Sequence, residues 1–450
     1  MRIQLPDDVK KIIQKIEDAG FEAFAVGGCI RDSLLNRNPN DWDITTSAKP
    51  QEIKALFKRT IDTGIEHGTV TVMINRVGYE VTTYRIDGEY EDARHPKNVI
   101  FTSNLVEDLK RRDFTINAMA YNDRCGIVDE FDGMKDLENK IVRAVGNPKE
   151  RFTEDALRMM RAVRFSAQLG YEIEDGTRAA ITELASNLSK ISAERIQVEL
   201  VKLLTSDHPE KMRDLYETGI TTVIMPEFDI AMETEQNNPH HCYTVGEHTI
   251  QSMMAAEPDK NIRLALLYHD IGKPACLTMD SDGIAHFHGH PAVSKEMCIR
   301  SLRSLKFDND TIHTVSKLVE NHDYDILPER KYVRRAMNRI GKEIFPLLLK
   351  VKQADLLAQS DYLRKEKQMR LDEVYTSYQD VLEKEECVDL KTLAVTGRDL
   401  ISWGMKPGKD LGDMLQKLLS VVIEEPQKNQ KEILKEIYLT ALYKPGDDKE

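Results

Sequence analysis

The chain has no closely spaced cysteine pair. Its six cysteines, Cys29, Cys125, Cys242, Cys276, Cys298 and Cys387, are scattered. That excludes a CxxC zinc or redox motif and reads as the reduced thiols of a cytoplasmic protein. No apolar run approaches the ~20 residues of a membrane span. The opening MRIQLPDDVKKIIQ has no signal-peptide core. Fixed-period repeats and low-complexity tracts are missing, which excludes a solenoid. Positive charge is in short supply, with a formal net charge of −13. Any contact with nucleic acid must therefore come from local basic stripes rather than the overall field. The 450 residues are 41% hydrophobic and 31% charged, a soluble balance with material for about two to four domains.

The most informative stretch is GGCIRDSLLNRNPNDWDIT, which begins at Gly27. It follows the apolar run Phe24–Val26, and a short helical pattern follows Gly27 and Gly28. Glycines between a strand and a helix let backbone N–H groups approach phosphate oxygens. Asp41 and Asp43, one residue apart on an expected strand, share a face, and hard oxygen ligands so placed suit Mg²⁺ beside a substrate's phosphates. Taken alone, a glycine turn and two solvated aspartates fit the stretch as well. Two β-rich runs, Thr69–Ile74 and Tyr79–Arg85, then form a hairpin signal. Glu80 lies in the second, either as an edge-strand charge facing water or as a third carboxylate beside Asp41 and Asp43. Residues 87–102 are polar and expected to form a loop. Lys110, Arg111 and Arg112 are consecutive, so they cannot share one helix face.

From Gly146 the periodicity is helical almost to the end, with no strand expected after about residue 145. The fold class is therefore α+β, an α/β head followed by a long helical remainder. Thr153–Leu169 reads as one helix capped by Thr153. Asp155, Arg158, Arg161 and Arg164 recur every three residues on its polar face. Asp accepts hydrogen bonds and Arg only donates them. Cytosine and adenine both present an amino donor beside a ring-nitrogen acceptor, whereas uracil and guanine present the reverse. An Asp155–Arg158 pair would accept C and A and reject U and G. Arg161 and Arg164 would reach a triphosphate as planar forks. An Asp–Arg pair on a solvated face is the plainer alternative.

Together GGCIRD…DWD, YEVTTYR, RRDFTINAMAYN and EDALRMMRAVRF resemble the bacterial CCA-adding tRNA nucleotidyltransferases. These form the class II branch of the polymerase-β-like superfamily, shared with bacterial poly(A) polymerases. The resemblance covers about residues 20–205 and implies a polymerase-β-like head that adds CCA to the tRNA 3′ end from CTP and ATP. It implies Asp41 and Asp43 as Mg²⁺ ligands, with Glu80 the third carboxylate, and Gly27, Gly28 and Arg31 at the triphosphate. Arg112, Arg161 and Arg164 would complete the nucleotide site, Asp155 and Arg158 would choose the base, and Arg195 would face the head. Partial CC or A addition and poly(A) addition stay open as alternatives. The family's flexible loop is matched by Tyr90–Val99, which favours addition of the full CCA or of its terminal A.

The helical remainder carries a second constellation: His248, His269-Asp270 in HDIGKP, His290, His322 and Asp355. Imidazole with carboxylate suits a transition metal or Mn²⁺, although lone histidines on helices are commonly core or surface residues. The set resembles the HD phosphohydrolase superfamily. That likeness implies a first metal site at His248, His269, Asp270 and Asp355, and help from His290 and His322 in binding a second ion (Mn, Ni, Fe or Mg). Lys273 would steady a phosphate. A metal phosphohydrolase with an RNA-binding head is thus the alternative of another class. The expected domains are a head over 1–142, a helical neck over 143–205, a body or linker over 206–240, an HD domain over 241–365 and a helical tail over 366–450. Monomer and homodimer are both compatible with the sequence, and no membrane partner is expected.

Overall fold

A computed structural model describes residues 2–87 and 99–442. It divides into two compact units, Met1–Asp229 and Ile230–Glu450. The Tyr90–Val99 loop lies, all but its last residue, outside the described residues.

The first unit opens with α1 (Asp7–Asp18), whose Val9, Ile12, Ile13 and Ile16 are buried on one face. Then come β1 (Ala23–Val26), α2 (Gly28–Leu34), β2 (Ile44–Thr46), α3 (Pro50–Leu56), β3 (Thr60–Gly64), β4 (Thr69–Ile74) and β5 (Val77–Thr83). β4 and β5 pair from Thr69↔Thr82 to Ile74↔Val77. Asn75 and Arg76 both take positive φ between them, the signature of a two-residue hairpin turn. A short ribbon of β6 (Arg85–Asp87) and β7 (Val99–Phe101) follows, then α4 (Leu105–Lys110), β8 (Met119–Asn122), β9 (Gly126–Asp129) and α5 (Gly133–Glu138). Seven strands form one sheet in the order β3-β4-β5-β2-β1-β8-β9, in which only the β2–β5 pair is parallel. Phe24, Val26, Tyr84, Leu105, Leu109 and Ala120 close a core on this sheet.

Three expectations change here. Asp41 and Asp43 precede β2 rather than lying on it. β1 ends at Val26 and turns at Gly27, so the chain before Ile44 has lost its ladder partner, except that Val26 N–H still donates to the Asp43 carbonyl at 3.0 Å. Strands also recur after residue 145: β10 (Ile141–Val142), just before it, takes β11 (Glu172–Ile173) as a parallel partner, and β12 (Thr278–Met279) pairs antiparallel with β13 (Ala285–His286). The expected single helix over 153–169 is two, α6 (Pro148–Glu154) and α7 (Leu157–Leu169). Asp155 sits between them at φ −142°, ψ 102°, where its carboxylate accepts the Leu157 N–H at 3.1 Å. Asn147, not Thr153, caps the first of the pair. Asp155 competes for the backbone amide and breaks the helix, as short polar side chains do. α8 (Asp175–Leu184) and α9 (Ala193–Leu204) follow, and α9 packs on α7.

Two short helices, α10 (Met212–Glu217) and α11 (Ile220–Ile224), end the first unit, and α12 (Pro226–Glu233) contains the residue at which the second begins. The second unit is then helical: α13 (Val245–Ala255), α14 (Lys260–Tyr268), α15 (His290–Ser304), α16 (Asn309–Asn321), α17 (Arg330–Ile340), α18 (Phe345–Ala358) and α19 (Arg364–Glu383). α13 packs against α14 and α18, and α15 against α16. A separate apolar cluster near the C-terminus gathers Leu400, Leu418, Val422, Leu434 and Tyr438. Among the described residues, no helix is long and apolar enough to cross a membrane.

Candidate functional site

In the first unit, Gly27, Gly28, Arg31, Asp41, Asp43, Arg112, Arg161 and Arg164 line one cavity of about 740 Å³. The glycine turn makes this convergence sterically feasible. Gly27 takes φ +84°, and a Cβ there would lie 2.9 Å from Arg112 Nη1. Only glycine supplies both the positive φ and that close approach.

The carboxylates meet through sheet register. β2 and β5 run parallel with Ile44 opposite Val81, so Asp43, just before β2, and Glu80, on β5, come near enough for Asp43 to raise the Glu80 pKa. β5 is an interior strand, but Glu80 itself is exposed and does not line the cavity. Desolvation raises the Asp43 pKa, with Asp41 adding to the rise and Arg112 opposing it. Glu80 is raised by desolvation and then by Asp43 and Asp41. The rise that neighbouring carboxylates impose on Asp43 and Glu80 is one that a divalent cation would relieve.

The cations are held from behind. Arg31 donates to Asn117 Oδ1 at 2.7 Å and to Asp32 Oδ1 at 2.9 Å. Arg161 places Nε and Nη2 on Asp113 Oδ2 at 2.8 and 2.5 Å. Arg164 Nε lies 2.7 Å from Glu199 on α9. Burial pushes the Asp113 carboxyl up, but Arg161 outweighs it and holds the pKa down to about 2. Burial lowers Arg164 to about 10. Of the three consecutive cations, Arg111 pairs with Asp108 at 2.8 Å and Arg112 faces the cavity.

Asp155 and Arg158 are not in this lining and hold other partners. Asp155 Oδ2 accepts Arg195 Nη2 at 2.7 Å. Arg158 donates to Glu154 Oε2 at 2.7 Å and to the carbonyls of Arg151 and Arg111, each at 3.1 Å. The sequence reading missed Asp113, Asn117, Phe165 and Glu199. A signal existed for Asp113, an acid directly after three cations, and for Phe165, an aromatic beside Arg164.

The second unit builds a separate cluster. His248, His269, Asp270, His290 and His322 are all buried. His248 and His269 with Asp270, and Asp270 with His290 and His322, each offer ligand atoms within 4.8 Å of one another. Asp270 divides its oxygens: Oδ2 lies 3.2 Å from His269 Nε2 and 3.6 Å from His248 Nε2, whereas Oδ1 lies 3.2 Å from His290 Nε2 and 3.5 Å from His322 Nε2. Asp355 of α18 reaches His248 Nε2 at 2.9 Å. Every one of the four imidazoles turns Nδ1 to a backbone carbonyl, those of Ala358, Leu266, Phe287 and Val319. A proton held at Nδ1 leaves Nε2 as a lone pair. Yet Nε2 atoms face each other at 3.3 Å (His248–His269) and 3.2 Å (His290–His322). Acceptors aimed at acceptors and carboxylates are the donor set of a cation, with ring orientation fixed by the outer partners. Lys273, expected at a phosphate, donates to Gln236 Oε1 at 2.8 Å and pairs with Asp270 at 2.7 Å.

Three family models match the chain: "Poly A polymerase head domain" over residues 23–143, "Probable RNA and SrmB- binding site of polymerase A" over 170–232, and "tRNA nucleotidyltransferase domain 2 putative" over 279–438. The chain is 37% identical to the CCA-adding enzyme of Pediococcus pentosaceus, covering 94% of this chain and 95% of that one. It is 38% identical to the CCA-adding enzyme of Levilactobacillus brevis, over 96% and 97%. The crystal structure of the Bacillus stearothermophilus CCA-adding enzyme in complex with CTP superposes with a TM-score of 0.72 at 28% identity, covering 98% of this chain and 99% of that one. The Thermotoga maritima CCA-adding enzyme complexed with tRNA shares the fold, with a TM-score of 0.58 at 18% identity over 98% and 100%.

Proposed function

The chain belongs to the CCA-adding enzymes, and from that membership we propose that it completes tRNA 3′ ends with CCA from CTP and ATP, without a nucleic-acid template. The observation that carries this reading is the convergence of the glycine turn, Asp41, Asp43 and four arginines on one cavity. Near-full-length identity to CCA-adding enzymes favours complete addition over the partial and poly(A) alternatives.

The reaction is an in-line displacement. The tRNA 3′ oxygen forms a bond to the α-phosphorus of the incoming nucleotide, and the bond to pyrophosphate breaks. Arg31, Arg112, Arg161 and Arg164 hold the triphosphate, and their forks match phosphate oxygens. Asp41, Asp43 and Glu80 would hold a divalent cation, Mg²⁺. When bound, that ion polarises the phosphate and lowers the pKa of the attacking hydroxyl. Base choice is assigned to Asp155 and Arg158. Reading a base then means exchanging Arg195 and Glu154 for the pairing edge of C or A. Until a matching edge arrives, both groups stay satisfied, which limits the hold on any other base.

The test is extension of a tRNA ending before CCA, given CTP alone, ATP alone, or both, with Mg²⁺. The expected products gain two cytidines, nothing, and CCA. Failure to extend with both nucleotides would refute the assignment.

The inward-facing Nε2 atoms support a second reading for the Ile230–Glu450 unit: an HD-type centre in which His248, His269, Asp270 and Asp355 would hold one divalent ion and His290 and His322 would help to hold a second, supplying hydrolysis of phosphate esters. Metal analysis of protein exchanged into Mn²⁺ should find two ions per chain beyond any in the head. His269→Ala should lose them, together with phosphate release from p-nitrophenyl phosphate. A wild-type chain holding no such ions would end this reading.

A further inference from the structure

One aromatic ring sits among the triphosphate-binding cations without a role in the reaction described. Phe165, on α7, is 5% exposed and lines the head cavity. The guanidinium carbon of Arg164 lies 3.8 Å from its ring centre. Arg31 reaches in from α2 at 5.0 Å, and Arg161 stands one turn away at 5.4 Å. Phe114 backs the ring edge-on, with centroids 5.7 Å apart and planes at 78°.

Three like charges so close together repel each other. Each has acidic or amide neighbours: Asp32 and Asn117 for Arg31, Asp113 and Glu199 for Arg161, and Glu199 and Gln168 for Arg164. Those partners hold the cations from the protein side only. With each guanidinium already bonded to its carboxylate, what the three also share is one ring, a surface that attracts cations and cannot itself accept a hydrogen bond. A ring's quadrupole offers that attraction. Phe165 reaches all three because α7 places it next to Arg164 and one turn from Arg161, while α2 brings Arg31 across. Leucine or methionine would fill the volume without the attraction.

We propose that Phe165 is a positioning residue for nucleotide binding, an aromatic hub that sets the spread and aim of Arg31, Arg161 and Arg164 for the polyphosphate. Acting through the polyphosphate grip, it influences CTP and ATP alike.

The experiment compares full-length wild type with Phe165→Leu and Phe165→Tyr, and uses inorganic tripolyphosphate as a base-free probe of the grip. Phe165→Leu should raise KM for CTP and for ATP by about tenfold, the size of one or two lost cation–ring contacts. The inhibition constant of tripolyphosphate should rise by the same factor, with kcat within about twofold and the order C, C, A unchanged. Phe165→Tyr keeps the ring face and should restore all three constants. If Phe165→Leu does not accumulate as folded protein, Phe165→Met gives the same readout. Unchanged tripolyphosphate inhibition in a folded Leu or Met variant would overturn the proposal. So would a Tyr variant as impaired as Leu, because that pattern belongs to packing alone.

Discussion

Replacing Asp155 with alanine separates two jobs that one carboxylate holds, a structural one and the selection of the base. In the free protein the group accepts the Leu157 N–H at 3.1 Å and Arg195 at 2.7 Å. Loss of a capping acceptor costs about 1 kcal/mol, and loss of a partly exposed ion pair about 0.2–1 kcal/mol. The sum, about 1–2 kcal/mol, lowers Tm by about 2–8 °C in a unit of this size. The functional term is separate. Uracil would set its carbonyl against the carboxylate, and an unpaired buried acceptor costs about 1–3 kcal/mol, or about 5–150-fold in rate. Alanine removes that penalty. The ratio of kcat/KM for CTP over UTP should therefore fall about 10–100-fold in single-nucleotide extension, while tripolyphosphate inhibition stays near the wild-type value. Asp155→Asn keeps a capping oxygen and should recover most of the Tm without recovering the ratio. An alanine variant with lowered Tm and an unchanged CTP/UTP ratio would refute the base-reading assignment and leave Asp155 a structural residue.

Asp43→Asn should abolish extension, with a loss of at least about 10³-fold, yet raise Tm of metal-free protein by removing one of three mutually repelling acids. The pH sign follows from the raised pKa values of Asp43 and Glu80. Their stabilising contribution is full below the ordinary carboxylate range and is lost as pH rises through the raised values. Metal-free protein should thus gain from these groups as pH falls from 7 towards 5, and Asp43→Asn should flatten the trend in a thermal-melt series. Asp113→Asn loosens Arg161 and should raise KM for CTP and ATP together, about tenfold, with the CTP/UTP ratio intact, read by steady-state kinetics. Gly272→Ala would place a Cβ 2.6 Å from Ser294 N and 2.9 Å from its Oγ. That overpacking should cost about 1–3 kcal/mol in the second unit, seen by chemical denaturation.

Much of the head was legible because its signals are local. The hairpin was expected from two β-rich runs, and the turn at Gly27 from glycines between a strand and a helix. What stayed hidden is long-range or competitive. β3 carries TIDTG, with no strong alternation, and exists because β4 pairs with it. β8 reads MAYN, buried on every residue, so no period marks it. The helix break at Asp155 is a contest between helical periodicity and one side chain's bond to its own backbone, and residue spacing does not register that contest. Lys331–Arg339 shows the converse limit. By sequence alone the run KYVRRAMNR suits a tRNA-gripping stripe and a solvated helix face equally, but Arg334 is buried and donates to the Ile423 carbonyl at 2.7 Å, so part of its charge is spent inside the fold. The cluster around Asp270 was legible as a set of residue types. Its division of one carboxylate between two histidine pairs was not.

The pre-paired arginines also bear on how the enzyme lets go. Every round of addition leaves pyrophosphate among the cations that gripped the triphosphate, and a site of bare guanidiniums would retain it. Here Arg31, Arg161 and Arg164 each keep a protein partner, Asp32, Asp113 and Glu199 in turn, to which they can return as the product departs. Holding the ground state less tightly leaves more of the attraction for the moment of transfer. It also leaves the site free to refill three times on the same tRNA, so turnover rather than affinity is what this arrangement of acids behind bases favours.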